Sequence, residues 1–470
     1  MTNLSAGQSA KRVVVIGGGI SGLTAAYALG QRSPRPQITI LESLPRLGGV
    51  INSSPFAGLR AVDESADAFL VRAPAALELA RQMSLGSELT EPATASAYIW
   101  YRRMHDIPEP TMLGIPANRN AIYKTKLLSP SAKVRASLEP MIAKLRGSYD
   151  PQDCLGALIR NRYGAQVLER IVDPLVGSIY ATDADRFSLL GMPQIADLVA
   201  QGGSLTHAAN KVVSARVAGQ ALFAAPLRGM SSLIDALWAA LQIQGADIRF
   251  SSAATAIEQP TRGSYVVHTD TDSLGADAIV LASPARATAP LLASIDKDAT
   301  QILAESEHAS VVMVGLAVSR EQWPSHLTGS GYLVPKPVQR AVTAVSFGSN
   351  KWKHWKPHDN AMVLRVSLGR DGMPMHDNDD DTILKLTLDE LARHIGVAFT
   401  PHATRITRWV DSFPQYRPGH FTRIDKLETA LRASAPGVVV TGASYRGIGI
   451  PSCVQQARVA ADRIYDAISS

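Results

Sequence analysis

The chain has 470 residues, 46% hydrophobic and 19% charged, which suits a globular protein of two or three domains and excludes a disordered or fibrous one. Its only cysteines, Cys154 and Cys453, offer neither a zinc spacing nor a disulfide scaffold, so a reducing, cytoplasmic setting is expected. Net charge is +6, and residues 101–170 alone hold twelve Lys or Arg against six Asp or Glu. That excess reads as a solvated helical face, an anionic substrate or an anionic membrane surface; without a recognised motif or aromatic-interleaved basic run, nucleic acid is not expected.

The N-terminal MTNLSAGQSAKR is polar and lacks the apolar core of a secretion signal, and no later segment has the length and apolarity of a membrane span. Val13 to Ile16 is a β-branched run that predicts a buried parallel strand. Gly17, Gly19 and Gly22 follow with the G-x-G-x-x-G spacing at a strand-to-helix turn. The first glycine permits the tight turn, the second lets backbone N–H groups approach a pyrophosphate, and the third lets helix and strand pack closely. A second strand, Ile38 to Leu41, ends at Glu42, where a carboxylate can hold a ribose hydroxyl pair. Arg46-Leu47-Gly48-Gly49 then turns the reading from a nicotinamide nucleotide toward FAD: adjacent glycines let backbone lie against the cofactor, and Arg46 can pair with phosphate or ribose oxygens.

A mostly helical stretch follows, punctuated by Tyr163-Gly164 and Asp173-Pro174. The nucleotide-binding pattern resumes near Ala225-Pro226-Leu227-Arg228-Gly229-Met230, with a helix over SSLIDALWAALQIQG and strands at DIRFSS, AATAIEQ, SYVVHTD and AIVLASP. A mixed region carries strand-like runs at Val311 to Val318, Ala341 to Phe347 and Met362 to Leu368. Its acidic run, Asp377 to Asp381, reads as a solvated loop and helix start rather than a calcium loop, and the helix ends near Ile395. His354 and His358 are four apart, but Pro357 argues against a shared helical face, so no metal is expected. Near the C-terminus, strand Val438 to Thr441 stops at Gly442. The loop Arg446 to Pro451 then opens a helix with Ser452 as the expected cap. That helix N-terminus could face a flavin's pyrimidine edge. Cys453 reads as a buried thiol beside the cap, or as a point of covalent flavin attachment. No Ser–His–Asp or Cys–His set is visible, and no catalytic side chain is assigned; a flavin carries the difficult chemistry itself.

The glycine turn, Glu42, RLGG, ADAIVLASP and the terminal TGASYRGIGIPSCVQQAR resemble the flavin amine oxidase superfamily. Within it, MLGIPAN at 112–118, DPLVGSIYATDADRFSLLGMPQI from Asp173 to Ile195 and RWVDSFPQYRPGH from Arg408 to His420 resemble the protoporphyrinogen/coproporphyrinogen oxidases. The overall pattern is most similar to the bacterial branch acting on coproporphyrinogen III. The resemblance implies an α/β fold with a Rossmann-like, p-hydroxybenzoate-hydroxylase-type FAD domain assembled from residues 11–75, 218–304 and 425–470. It also implies a mixed α/β substrate domain from 76–103, 196–217 and 305–424, and a helical domain over 104–195. Non-covalent FAD would be held by Gly17, Gly19, Ile20, Ser21, Gly22, Glu42, Ser43, Arg46, Gly48, Gly49 and Val50. Further contacts would come from Ala254, Thr255, Ala256, Trp409, Gly442, Ile450, Pro451, Cys453 and Val454. Arg72 falls near a basic position that faces the substrate's acid groups; its other reading is a surface arginine.

The implied activity is a six-electron oxidation of coproporphyrinogen III to coproporphyrin III in haem biosynthesis, in three hydride transfers, with oxygen as acceptor and hydrogen peroxide released. A monomer is implied, with a transient contact to the next haem-pathway enzyme and a peripheral membrane contact left open. Protoporphyrinogen IX remains the alternative substrate. Another flavin oxidase or desaturase is disfavoured by SIYATDADRFSL and FPQY, and a flavin-free carrier, as Rab GDP-dissociation inhibitors are, by the intact glycines and Glu42. Two departures bear on the flavin contacts: Ser65-Ala66 stands where the family commonly has Gly-Pro before Asp67, and Arg228-Gly229-Met230 replaces its GGM-like turn.

Overall fold

The structure, a computed structural model, describes residues 10–146, 150, 153–215, 221–357 and 360–469. The polar N-terminal tail up to residue 9 and His358 lie outside the described residues.

Val13 to Ile16 are all at most 5% exposed, because the strand Arg12–Ile16 sits at the centre of a five-stranded parallel sheet covered on both faces. The order across that sheet is Asp247–Arg249, Gln37–Leu41, Arg12–Ile16, Ala278–Leu281 and Val438–Val440, so it takes strands from three distant stretches of sequence. On one face, helices Ile20–Gly30, Pro74–Gln82, Ser231–Ile243 and Ile450–Ser469 pack through Leu23, Leu79, Leu237 and Val454. The other face carries Ile257, Tyr265 and Val267 from a three-stranded antiparallel meander, with Ile424, Leu427 and Leu431 from helix His420–Ser434.

A seven-stranded sheet forms a second layer, ordered Ala403–Pro414, His308–Ser319, Ala361–Leu368, Val342–Ser346, Gly331–Leu333, Tyr98–Trp100 and Met104–Asp106. All its pairings are antiparallel except Tyr98–Trp100 with Gly331–Leu333. Helix Asp380–Ile395 covers it; Asp379 caps the helix by accepting the Thr382 N–H at 2.7 Å, as the acidic run suggests. Residues 119–214 supply a third, helical core around Leu155, Ile171, Phe187 and Leu198. Gly164 ends helix Leu155–Tyr163, and Pro174 follows a widened, π-helical turn over Leu168–Val172 at the start of helix Asp173–Tyr180.

Ser452 is not the cap of the final helix. The helix begins at Ile450, with Pro451 in its first turn, so Ser452 lies inside it.

Candidate functional site

The three motif glycines divide the work that their spacing assigns. Gly17 has φ +108°, outside the range of most side chains. A Cβ on Gly22 would stand 1.9 Å from the Gly17 carbonyl oxygen, so only glycine lets this helix start against the strand. A Cβ on Gly19 would meet nothing within 4 Å, so Gly19 opens onto free space in front of the helix N-terminus. Helix Ile20–Gly30 has no side-chain cap and no acid in its first turn, which leaves its leading N–H groups for an anion.

Glu42 is buried at the end of the second strand. Its Oε2 accepts the Gly18 N–H at 2.7 Å; its Oε1 accepts the Leu44 N–H at 2.8 Å and the Ser43 hydroxyl at 3.3 Å. The Ser252 N–H donates to the Glu42 carbonyl at 2.8 Å, which sets the start of strand Ala254–Thr261 beside this carboxylate. Thr255 is exposed, and its hydroxyl is turned to the His268 carbonyl at 3.3 Å. The RLGG loop closes onto the glycine turn, with the Gly48 N–H donating to the Gly18 carbonyl at 2.9 Å. Arg46 donates to the carbonyls of Gly49 at 2.8 Å and Leu47 at 3.2 Å, so much of its guanidinium holds the loop's own backbone. Ser43 and Val50 are exposed at the rim.

The far end of the chain completes the cradle. A Cβ on Gly442 would lie 3.6 Å from Ser21 Oγ, at φ +125°. Cys453 is buried, with its Sγ 3.6 Å from the Gly447 carbonyl and 3.7 Å from that of Ile448. Burial pushes this thiol up to about 11, with a hydrogen bond to Ser21 opposing it, so it stays a neutral packing group. Ile450, Pro451 and Val454 are buried beside it at the start of the final helix, which packs along helix Ile20–Gly30.

Trp409 reaches the same region from the seven-stranded sheet. Its indole N–H donates to the Glu64 carbonyl at 2.8 Å. Around it is a charge knot of which only Asp67 stood out in the sequence. The Asp67 carboxylate accepts from Lys351 Nζ at 2.8 and 2.9 Å and from the Trp352 indole at 3.0 Å, with Arg365 at 3.3 Å. Burial alone would raise its pKa, but Lys351 and Arg365 outweigh burial and hold it well below the usual carboxylate range. These partners lie 284 or more residues away along the chain, and no local motif announces them. Asp63 behaves oppositely: burial raises it to about 6, although the Ser53 hydroxyl at 2.5 Å and the Met230 N–H at 2.8 Å favour its charge. Arg72 does not join the cradle. It is exposed in the turn before helix Pro74–Gln82, without a hydrogen bond or ion pair among the described residues.

Beyond the cradle, Ala181, Ala309, Val311 and Phe413 form a small apolar cluster where helix Asp173–Tyr180 meets the two long strands. Among the described residues, no group of three or more His, Cys, Asp or Glu could hold a metal ion.

An uncapped helix start, an open second glycine and an acid at the neighbouring strand end define a dinucleotide-binding α/β protein, and the free space at Gly19 fits a pyrophosphate. The chain belongs to the flavin-containing amine oxidoreductase family, whose model matches residues 20–465. It is 29% identical to a Bacillus subtilis protein named coproporphyrinogen III oxidase, over 96% of this chain and 97% of that one. With the protein of that name from Mycobacterium bovis it shares 30%, over 97% and 98%. A candidate protoporphyrinogen oxidase from Exiguobacterium sp. 255-15 superposes with a TM-score of 0.87 at 27% identity, covering 99% of this chain and 100% of that chain. Cyclohexylamine oxidase from Brevibacterium oxydans shares the fold, with a TM-score of 0.71 at 17% identity over 98% and 100%.

Proposed function

We propose that this protein oxidises coproporphyrinogen III to coproporphyrin III, using FAD bound without a covalent link and oxygen as the final acceptor. The observation that carries the reading is similarity to bacterial coproporphyrinogen III oxidases along nearly the whole chain. Each porphyrinogen loses six electrons and six protons, so three oxygen molecules become three of hydrogen peroxide. When bound, the flavin supplies the two-electron acceptor.

The chain's own residues bind, orient and keep the site dry. The N–H groups at the start of helix Ile20–Gly30 face the pyrophosphate, and Glu42 takes the ribose. Arg46 keeps its remaining donors for cofactor oxygens, and the first turn of the final helix offers N–H groups to the ring. Ser43, Val50 and Ala254 to Ala256 form the nucleotide rim. Ala181, Ala309, Val311 and Phe413 give the macrocycle an apolar wall, and Arg72 meets a propionate. The test is aerobic turnover of coproporphyrinogen III with oxygen uptake and product measured together. Three oxygens per porphyrin support the reading, and no flavin reduction by the porphyrinogen ends it. Protoporphyrinogen IX is the second reading, favoured by 25% identity to the Bos taurus protoporphyrinogen oxidase over 97% of this chain.

We further infer a cytoplasmic monomer that touches an anionic membrane surface and passes its product to the next porphyrin-processing enzyme. No helix among the described residues is long and apolar enough to cross a membrane. However, Val134 and, on the next helix, Met141 and Leu145 recur at helical spacing with Leu138 at the junction between helices Pro130–Ser137 and Glu139–Arg146, each at least 40% exposed. Residues 119–146 hold seven Lys or Arg and one acid, Glu139, which is fully buried against Ser204 and Leu205. An apolar stripe in a basic field suits anionic lipid.

A further inference from the structure

The strand Ala403–Pro414 is irregular where it passes the apolar wall. Up to Trp409 it runs in register with His308–Ser319, and Trp409 faces Val311. Phe413 then faces Ala309, so Val410, Asp411 and Ser412 stand opposite Ser310 alone. Two residues are extra, which makes a β-bulge, the device that bends a strand beside a site. Because the insertion is even, Trp409 and Phe413 stay on one face of the strand, opposite Val311 and Ala309, and are held closer together than four residues of regular strand would place them.

Asp411, at the middle of the bulge, has φ +47°. Residues other than glycine are uncommon in that left-handed conformation, aspartate less so than most, and local hydrogen bonds hold them there. Here the buried Ser310 hydroxyl accepts the Asp411 N–H at 2.8 Å and donates to Oδ1 at 3.3 Å. Oδ2 accepts from the guanidinium of Arg286, on the short helix Ala285–Thr288 that follows the fourth strand of the parallel sheet. That helix is tied to the cradle loop, because the Ala285 N–H donates to Ser444 Oγ at 3.1 Å, two residues beyond Gly442. His308 Nε2, on the strand facing the bulge, lies 3.4 Å from the same oxygen. A single carboxylate therefore fastens a bulge of the seven-stranded sheet to the loop that bounds the nucleotide cradle.

We propose that Asp411 is a positioning residue which, with Ser310 and Arg286, fixes the spacing of Trp409 and Phe413 and so places the substrate wall relative to the bound flavin. Asp411 acts through two neighbours. Trp409 is anchored to Glu64 on the nucleotide side, and Phe413 packs against Ala181, Ala309 and Val311. The inference rests on the reading of the site as a flavin-dependent porphyrinogen oxidase.

The test compares Asp411→Ala, Asp411→Asn and Arg286→Gln as flavin-loaded enzymes. Asparagine favours the left-handed conformation more than alanine does and keeps an acceptor for Ser310, which alanine lacks. Asp411→Ala should raise the KM for porphyrinogen by about fivefold or more while kcat changes less, and should shift the visible circular dichroism of the bound flavin. Asp411→Asn should restore both toward wild type. Unchanged KM and dichroism in Asp411→Ala would overturn the proposal, whatever happens to its melting temperature. If that variant does not fold, Arg286→Gln replaces an exposed side chain and carries the same test, and wild-type values there overturn it equally. Should the wild type not oxidise porphyrinogen, the functional reading fails by itself, while the dichroism of the variants still decides whether Asp411 positions the wall.

Discussion

Replacing Glu42 by alanine separates a ribose contact from a structural one. A carboxylate has about four acceptor sites. Three are taken within the chain, by the Gly18 N–H at 2.7 Å, the Leu44 N–H at 2.8 Å and the Ser43 hydroxyl at 3.3 Å. The remaining site on Oε2 is the one open to a ribose hydroxyl. Glu42→Ala removes that contact and leaves the Gly18 N–H without its acceptor beside the cofactor. A hydrogen bond to a charged group contributes about 1.5–3 kcal/mol, so the FAD dissociation constant should rise roughly tenfold to 150-fold. The apoprotein should also lose stability, by about 1–3 kcal/mol for each backbone N–H left unpaired in the fold. Flavin-fluorescence titration of apoprotein measures the first effect, and urea unfolding without flavin measures the second. If apoprotein stability falls while FAD affinity stays at the wild-type value, Glu42 only ties the strand end to the glycine turn and the ribose assignment is wrong.

Gly19→Ala should leave the apoprotein's melting temperature unchanged, since its Cβ meets no protein atom within 4 Å, yet should weaken FAD binding at least tenfold; Gly22→Ala, 1.9 Å from a carbonyl oxygen, should damage both. Gly449→Val is similarly clean, because the nearest protein atom to its Cβ is 3.8 Å away; full flavin content and turnover would make the C-terminal loop a mere turn. Asp63 is raised from 3.8 to about 6, so its contribution to stability is fully present below the unfolded value and is lost as pH rises through about 6. Asp63→Asn should therefore gain on the wild type in unfolding free energy between pH 4 and 8, by at most about 3 kcal/mol at the upper end; a constant offset across that range would refute the sign. Leu138→Glu combined with Met141→Glu should reduce co-sedimentation with phosphatidylglycerol vesicles about tenfold. Wild type that sediments equally with purely zwitterionic vesicles, or not at all, would refute the anionic contact.

The cradle was legible because its requirements are local. A glycine spacing fixes what backbone and pyrophosphate can do, and β-branched runs fix a strand buried on both faces. Reading Ser452 as the cap failed because a helix can start two residues earlier: proline has no N–H to satisfy, so Pro451 fits the first turn. Arg46 was legible as a cation but not as one largely engaged by its own loop. Lys351 and Arg365 could not be read at all, since their relation to Asp67 exists only after the loop that carries it has packed against the seven-stranded sheet and its short helix. The bulge at Asp411 was equally hidden. A left-handed residue usually announces itself as glycine, and here an aspartate held by Ser310 and Arg286 takes that place.

The central claim is the choice of porphyrinogen. Coproporphyrinogen carries four propionates where protoporphyrinogen carries two, and each charge-assisted, partly solvated contact contributes about 1 kcal/mol. The most direct measurement is anaerobic reduction of the bound flavin by the two porphyrinogens side by side, at low and at high salt. The account predicts roughly tenfold to a hundredfold faster reduction by coproporphyrinogen III at low salt, with a preference that shrinks as salt rises. Equal or faster reduction by protoporphyrinogen IX at low salt would contradict it.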